Sequence, residues 1–322
     1  MVNFMKKWQV LFLAVVFILG LTLVGCSQKQ LQSKPGTTAV YKATDIRGKE
    51  LSFSKKPQHI VCTYVFADEI LLDLVSHDRI AGLDRWVHDP ELSSAVKEAR
   101  DVKTIVENNT ESILKVKPDL VLLPPYVKPE MIDSLEEVGL KVFVYKDSRR
   151  LHEIPNMIRS IASAVGETSR GEELVATLNK DLDAVKKMKK TGNPEEKALM
   201  FMRFGAFGGK GTIYNDVLTE LGFNDCYNTV RKETVTGQNL KGILSKEEVV
   251  KANPDVFLMA LWTQGGAYDD SKMQLQEMYS DPAFATVNAV KNKRAYIFPQ
   301  RLVNSLSHHA GKNLIELAKL LK

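Results

Sequence analysis

One hydrophobic pattern occurs twice along the chain. In residues 112–123 and again in residues 248–259, the end of an amphipathic segment is followed by a Pro-Asp pair and then by an unbroken apolar run. Proline ends a helix and aspartate favours the turn after it. An apolar run without polar alternation is typical of a strand whose sheet is covered on both faces. The repeated pattern therefore predicts two lobes of similar design.

Further strand and helix patterns alternate around both copies. Such alternation is typical of parallel α/β sheets, in which each helix crosses back over the sheet between two strands. The sequence thus predicts an α/β fold with two Rossmann-like lobes, mainly parallel sheets and a cleft between the lobes. The predicted strands are 60–63, 142–145, 198–204 and 295–298, and the predicted helices are 67–75, 215–221 and 311–321.

A long helical pattern separates the two copies. Apolar residues recur at helical spacing over residues 154–165, and after Gly166 the pair Ser169 and Glu172 has the spacing of a capping box that opens a second run. A helix over residues 169–190 would be roughly 30 Å long, enough to join two lobes as one long, stiff linking helix. The alternative is a helix that only covers a sheet; the position between the repeats favours the linking helix.

The first residues have the pattern of an export signal. Lys6 and Lys7 precede an apolar run that is too short to span a bilayer, and small residues follow it. Leu23-Val24-Gly25-Cys26 resembles a bacterial lipobox, in which the cysteine is acylated; an uncleaved membrane anchor is the alternative. Several acyl chains, at about 0.8 kcal/mol per buried CH₂, would hold a soluble domain at the membrane. The predicted segments are a signal peptide at 1–25, a flexible tether at 26–40 from the lipidated Cys26, an N-terminal lobe at 41–149, the linking helix at 150–190 and a C-terminal lobe at 191–322.

Composition, charge and motifs exclude several classes of protein. The formal net charge is +5, and the positive residues are too few and too dispersed for a nucleic-acid surface. Among the three cysteines, Cys62 and Cys226 are expected as buried free thiols, and no Cys or His cluster has the spacing of a zinc site. No GxSxG, HExxH or GxGxxG motif is present. Residues 205–211 fail the phosphate-loop pattern, and we expect their glycines to let the backbone approach a ligand or to form a flexible loop. We therefore predict no catalysis, no resident cofactor and no metal site.

The order of these features resembles the substrate-binding proteins of ABC importers. Residues 44–51 precede Pro57-Gln58-His59-Ile60-Val61, and the two Pro-Asp strands and the intervening helix follow. This order is similar to the class whose lobes are joined by a rigid helix, although that class usually has arginine in place of His59. The resemblance covers nearly the whole chain after Cys26. It implies a monomeric receptor, held by lipid on the extracytoplasmic face of the cell membrane, that delivers a small-molecule metal chelate to a dimeric ABC permease.

The resemblance leaves the ligand open. The class handles iron-siderophore complexes, heme and corrinoids; we expect a ferric siderophore first, a corrinoid such as vitamin B12 second and heme third. A rival of another class is a two-lobed α/β enzyme of the nitrogenase-component or metal-chelatase type, against which the lipobox and the lack of cluster cysteines argue. A lipoprotein receptor or adhesin that works without a transporter is a further alternative.

Two acidic residues correspond to permease contacts of the class. In that class a glutamate on the first helix of each lobe docks arginines of the permease. The matching positions are Glu69 and Asp216, and we expect both carboxylates to be exposed for pairing with arginine. Asp216 is one methylene shorter than glutamate, and Glu220, one helical turn later, competes for the second role.

The residues that follow the strands are the candidates for the ligand site. Ligands of open α/β sheets bind beyond the carboxyl ends of the strands, where this sequence concentrates arginines, which suit carboxylates and catecholates, and aromatic rings, which suit the rings of a chelator. For His308 and His309 two roles are open: an imidazole could ligate heme iron, or the pair could cap the last helix. The predicted ligand-binding residues are Tyr64, Trp86, Tyr126, Arg203, Trp262, Arg301 and His308.

Overall fold

A computed structural model describes residues 40–188, 193–202, 205–231, 242–261 and 269–321. All of them belong to one compact unit, Ala39–Lys322. The predicted signal peptide, Cys26 and the tether up to residue 39 lie outside the described residues, as do Arg203 and Trp262. Within the described part of the chain, no helix is both long and apolar enough to cross a bilayer.

A parallel sheet forms the N-terminal lobe. An antiparallel hairpin of β1 (Tyr41–Thr44) and β2 (Glu50–Phe53) comes before it. The sheet consists of β3 (Ile60–Cys62), β4 (Ile80–Gly82), β5 (Leu120–Leu123) and β6 (Val142–Val144), in the order β4-β3-β5-β6. The helices of this lobe are α1 (Val65–Leu74), α2 (Val96–Ala99), α3 (Thr110–Lys115) and α4 (Pro129–Glu137).

Two helices, α5 (Ile154–Val165) and α6 (Thr168–Lys187), fill the predicted linking segment. Gly166 ends α5 in the left-handed conformation (φ 75°), which glycine adopts without steric cost. The predicted capping box is wrong: α6 begins at Thr168 and has no side-chain cap. Glu172 instead accepts two hydrogen bonds from the Arg159 guanidinium of α5, a partner that becomes available only when the two helices pack together.

The C-terminal lobe is a second, mainly parallel sheet. Its strands are β7 (Lys197–Met202), β8 (Gly205–Phe207), β9 (Asn224–Asp225), β10 (Val256–Leu261) and β11 (Ala295–Pro299). The order is β11-β10-β7-β8, with β9 also paired to β7; only the β7–β8 pairing is antiparallel among the described strand pairs of this sheet. The helices are α7 (Ile213–Leu221), α8 (Tyr227–Val230), α9 (Lys246–Ala252), α10 (Asp269–Ser280), α11 (Asn288–Lys291) and α12 (Ala310–Leu320).

The two Pro-Asp pairs play the same structural part in both lobes. Asp119 accepts hydrogen bonds from the backbone N–H groups of Gln58 (2.7 Å) and His59 (2.9 Å), just before β3. Asp255 accepts one from the N–H of Lys197 (3.0 Å), at the start of β7. In each lobe the aspartate therefore fixes the beginning of the neighbouring strand, which explains why the motif precedes a strand in both copies.

One continuous hydrophobic cluster runs through both lobes. It takes alternate residues of β5 (Leu120 and Leu122) and of β10 (Val256 and Leu258), together with side chains of α1, α5, α6 and α12. Helix α6, with 20 residues and about 30 Å long, packs against α1 and α5 and also against α7 and α12 of the C-terminal lobe. Because the lobes share this cluster, a hinge between them would expose apolar surface, which opposes large lobe movements.

Candidate functional site

Two predicted ligand residues meet at the carboxyl ends of the N-terminal strands. Tyr64 follows β3 and is the N-cap residue of α1, and Tyr126 follows β5. Their rings form an edge-to-face pair with centroids 5.4 Å apart. The Asn108 side chain donates a 2.6 Å hydrogen bond to the Tyr64 hydroxyl, and Tyr126 is 49% exposed. The pair therefore presents an accessible aromatic face where a ligand of this fold would bind.

Both phenols stay protonated at neutral pH. Burial raises the pKa of Tyr64 and of Tyr126, and the Asp147 carboxylate after β6 contributes in the same direction. The pKa of Asp147 is itself raised by burial, although the Ser148 amide and Arg149 oppose the shift. Neutral phenols donate hydrogen bonds to ligand oxygens. These hydroxyls can therefore donate hydrogen bonds to oxygen atoms on the organic shell of a chelate.

Trp86 lies on a short 3₁₀ turn, Arg85–His88, that follows β4. Asp84 caps this turn by accepting a 2.7 Å hydrogen bond from the Trp86 N–H, and its own N–H donates to buried Asp68 (2.8 Å). Trp86 is partly buried. On the same turn, His88 has a buried Nε2 without a hydrogen-bond partner among the described residues, and burial lowers its pKa.

The C-terminal side of the predicted site is described in part. In its glycine-rich segment, which we expect to approach a ligand or to form a flexible loop, the Gly209 N–H donates to Asp225 at 2.7 Å. A Cβ on Gly208 would lie 2.8 Å from Asp225 Oδ1 and from Tyr227 Cβ. The glycines therefore allow close packing against the lobe itself.

The prediction for Arg301 requires correction. We expect it at the ligand because it follows a strand, yet its guanidinium donates to both Glu316 carboxylate oxygens (2.8 and 3.0 Å) and to Asn313 (3.2 Å) of α12. The helix brings Glu316 back onto the turn that carries Arg301. The charge is therefore satisfied within the lobe, while the Arg301 N–H donates to the Glu91 carbonyl of the other lobe.

His308 also lies away from the predicted cleft. It is 5% exposed, and its Nε2 is 2.6 Å from Oδ2 of Asp73 in the last turn of α1. Helix α1 starts at the carboxyl end of β3 and carries Asp73 about 12 Å along its axis from Val65. The pairing with Asp73 therefore places His308 at the end of α1 that points away from the cleft. His309 is adjacent (ring centroids 3.9 Å), and burial together with His308 lowers its pKa to about 3.

Glu69 is not the exposed docking carboxylate that we expected. It is 1% exposed and accepts hydrogen bonds from the Ser93 hydroxyl (3.0 Å), the Ser94 N–H (2.6 Å) and the Ser307 hydroxyl (2.5 Å). Burial raises its pKa, and these hydrogen bonds oppose the shift. Helix α1 is covered on more sides than a surface helix, because the C-terminal segment returns to pack against it. Glu69 thus joins the two lobes internally.

The second predicted docking acid is partly engaged. Asp216 on α7 forms a two-pronged ion pair with Arg150, whose Nε donates at 2.8 Å, and accepts from the Leu151 N–H (3.0 Å). Glu220 lines the same shallow surface pocket, is partly exposed and has no ion pair within the described ranges. Glu220 is therefore the more available of the two carboxylates.

Sequence reasoning missed two residues of the N-terminal wall. Asp147 follows β6 and contributes to the raised pKa of both tyrosines, and its place after a strand is the sequence signal that points to it. Asn108 precedes Asn109, the N-cap of α3. Nothing in the sequence indicates that Asn109 caps the helix while Asn108 donates to the Tyr64 hydroxyl.

A cavity of about 600 Å³ opens elsewhere in the C-terminal lobe. Its lining includes Phe201, Met259 and Phe284, which belong to the hydrophobic cluster on the face of the sheet opposite the shared core. Lys246 and Asp281 on its rim pair with each other at 2.7 Å, and Glu277 also lines it. Since its apolar side chains belong to the core, we assign the ligand to the carboxyl ends of the N-terminal strands instead.

Comparison with known proteins gives matches over most of the chain. The profile of the periplasmic binding protein family matches residues 60–302. The chain is 26% identical over 330 residues to the uncharacterized ABC transporter substrate-binding lipoprotein YvrC of Bacillus subtilis, covering 97% of this chain and 95% of that protein. It is 23% identical over 307 residues to the probable siderophore-binding lipoprotein YfiY of the same organism, covering 90% of each.

Solved structures share the fold. The periplasmic heme-binding protein RhuT from Roseiflexus sp. RS-1 matches with a TM-score of 0.66 and 20% identity, over 82% of this chain and 97% of that chain. At this level of identity the likeness concerns the fold alone, and it confirms the predicted two-lobed α/β class.

Proposed function

The chain belongs to the periplasmic binding protein family, and from that premise we propose that it captures a ferric siderophore outside the cytoplasm and delivers it to an ABC permease. Of two relatives that match over most of their length, one is named as an ABC transporter substrate-binding lipoprotein and the other as a probable siderophore-binding lipoprotein. The protein acts on its ligand by binding alone and performs no chemistry on it.

The observation that carries the proposal is the Tyr64–Tyr126 pair. It offers an aromatic pair in which Tyr126 is 49% exposed and Tyr64 is partly buried, together with two neutral hydroxyls. Exposed Arg149 lies near enough to oppose the rise in the Tyr126 pKa and supplies a positive charge beside the ring. A ferric chelate with aromatic or amide groups and net negative charge matches all three features. Heme and corrinoids are the alternatives, and heme would need an axial ligand from the protein.

The test is a binding titration of the purified protein, followed by tryptophan fluorescence. The panel contains a ferric hydroxamate, a ferric catecholate, ferric citrate, heme and cobalamin. We expect saturable quenching by one ferric chelate, and at least tenfold weaker binding by Y126A. The matched control is V138A, which also shortens an exposed apolar side chain but at the far end of α4. Tight binding of heme or cobalamin alone, or equal affinity of Y126A and the wild type, would contradict the proposal.

We also propose that Cys26 carries the lipid that holds the receptor at the membrane. The Leu-Val-Gly-Cys motif and the lipoprotein relatives support this assignment. In cells, C26S is expected to move the protein from the membrane fraction to the soluble or secreted fraction. Retention of C26S in the membrane would indicate an uncleaved anchor instead.

A further inference from the structure

Three metal-ligating side chains converge at the junction of the lobes. Asp73 Oδ2 lies 2.6 Å from His308 Nε2 and 3.8 Å from His309 Nε2. One ligand atom from each residue falls within 4.8 Å of the others. Bonds of about 2.1 Å from zinc to nitrogen or oxygen place neighbouring ligand atoms of a tetrahedral ion roughly 3.4 Å apart. The three atoms therefore need to move by less than about 1 Å to surround an ion.

The donor set is chemically selective. Two imidazoles and one carboxylate suit Zn²⁺, Ni²⁺ or Co²⁺ and are a poor match for Ca²⁺ or Mg²⁺, which prefer oxygen ligands. His309 Nε2 is also buried and has no hydrogen-bond partner among the described residues. A buried polar atom without a partner destabilises the fold, and coordination of a metal ion would remove that cost. We propose that Asp73, His308 and His309 form a binding site for a divalent transition-metal ion.

The site is separate from the proposed ligand site. Asp73 lies about 12 Å along α1 from the carboxyl end of β3, while the Tyr64–Tyr126 pair lies at that end. Asp73 comes from the N-terminal lobe, and His308 and His309 immediately precede α12 of the C-terminal lobe. The bound ion links the lobes and stabilises their arrangement, and it takes no part in capturing the chelate.

The surroundings of the site predict moderate affinity. His308 Nδ1 is buried without a partner within the described part of the chain, so the site lacks the outer hydrogen bond that normally orients a metal-bound imidazole, which is worth about 10–100-fold in affinity. The Arg170 guanidinium also donates to the Asp73 carbonyl at 2.9 Å and places a positive charge nearby. We therefore expect binding that is measurable in dilute metal solution and reversible by a chelator.

The experiment uses purified protein without a histidine tag, stripped with EDTA and titrated with ZnCl₂ by calorimetry. H309A removes one ligand and keeps the hydrogen bond between Asp73 and His308. The matched control is H77A, since His77 forms a similar but more exposed pair with Asp101 (2.9 Å). The absorption spectrum of the Co²⁺-loaded protein reports the coordination geometry, and circular dichroism without metal checks folding. H309Q serves as a second variant if H309A does not fold.

The expected result is one zinc ion per chain in the wild type and in H77A, with affinity at least tenfold lower in H309A. Zinc should also raise the thermal midpoint of the wild type and of H77A more than that of H309A. A wild type that binds no zinc, or an H309A variant that binds zinc as tightly as the wild type, would overturn the proposal. Neither outcome bears on the chelate titration, so the two proposals can fail separately.

Discussion

Replacing Glu69 with alanine tests whether this residue joins the lobes internally. Its carboxylate accepts hydrogen bonds from Ser93 and Ser94 in the N-terminal lobe and from Ser307 in the C-terminal lobe. Glu69, Ser93 and Ser307 are all buried, so water does not readily replace the lost acceptor. The substitution therefore leaves two buried hydroxyls and one backbone N–H without their partner.

The magnitude follows from these three donors. A buried polar group left without a partner costs about 1–3 kcal/mol, but both serine hydroxyls also accept a hydrogen bond from a backbone N–H, of Ala95 and of His309, which favours the low end. Burial of the Glu69 carboxylate away from water also destabilises the folded wild type, and the same burial raises its pKa. Alanine removes this cost, which offsets part of the lost stability. We expect E69A to lower the free energy of unfolding by about 2–3 kcal/mol, or the thermal midpoint by roughly 3–5 °C.

E69Q separates lost hydrogen bonds from lost charge. The glutamine amide oxygen can accept from the Ser93 hydroxyl and from the Ser94 N–H. The glutamine NH₂ group can donate to the Ser307 hydroxyl, which can then donate its own hydrogen to the Ser305 hydroxyl at 3.4 Å. We expect E69Q to cost about 1 kcal/mol or less. The control is E137A, which removes an exposed acid on α4 and should change stability by less than about 0.5 kcal/mol.

The pH dependence has a definite sign. Because the pKa of Glu69 is raised in the folded protein, its contribution to stability is complete below the unfolded value of about 4.3 and is lost as the pH rises through the folded pKa. The advantage of the wild type over E69Q should therefore be largest in acid and shrink toward neutral pH. Urea denaturation of the variants, followed by circular dichroism from pH 4 to pH 8, measures both effects. A loss below about 1 kcal/mol in E69A, or equal losses in E69A and E69Q, would refute the reasoning.

Three further predictions concern the linker, the thiols and the permease. G166A should lower the free energy of unfolding by about 1–2 kcal/mol, and by more than G139A does. Both glycines have positive φ, but a Cβ on Gly166 would lie 3.0 Å from the Tyr41 ring, whereas a Cβ on Gly139 would have no neighbour within 4 Å. Equal losses of stability in denaturant unfolding would show that the contact with Tyr41 is unimportant. Burial raises the pKa of Cys62 and, to about 12, that of Cys226, so neither should react with a thiol reagent at pH 8 until the protein unfolds; rapid reaction of the native protein would show otherwise. E220K should reduce uptake of the ferric chelate in cells without changing its affinity for the purified protein, and unchanged uptake would exclude Glu220 as a permease contact.

Local sequence patterns predicted the architecture well. The Pro-Asp pairs, the unbroken apolar runs and the break at Gly166 all lie where predicted, because each depends on the backbone preferences and burial of neighbouring residues. The resemblance to substrate-binding proteins of ABC importers is confirmed by the family match. The proximity of Tyr64 and Tyr126 could also be predicted from the sequence, since each follows a strand and the carboxyl ends of parallel strands lie at one edge of a sheet.

Residues that interact across long separations could not be predicted in the same way. Glu69 looks like a surface acid in a helix, His308 like a helix cap, and Arg301 like an unpaired cation. Glu69 meets Ser307, and His308 meets Asp73, only when the C-terminal segment packs against α1. Arg301 meets Glu316 only when α12 packs against the turn that precedes it. The sequence by itself determined the two lobes, their strands and the family, since these follow from short-range periodicity. The tertiary structure alone decided which charges are buried and paired, because burial and pairing depend on which distant surfaces come into contact.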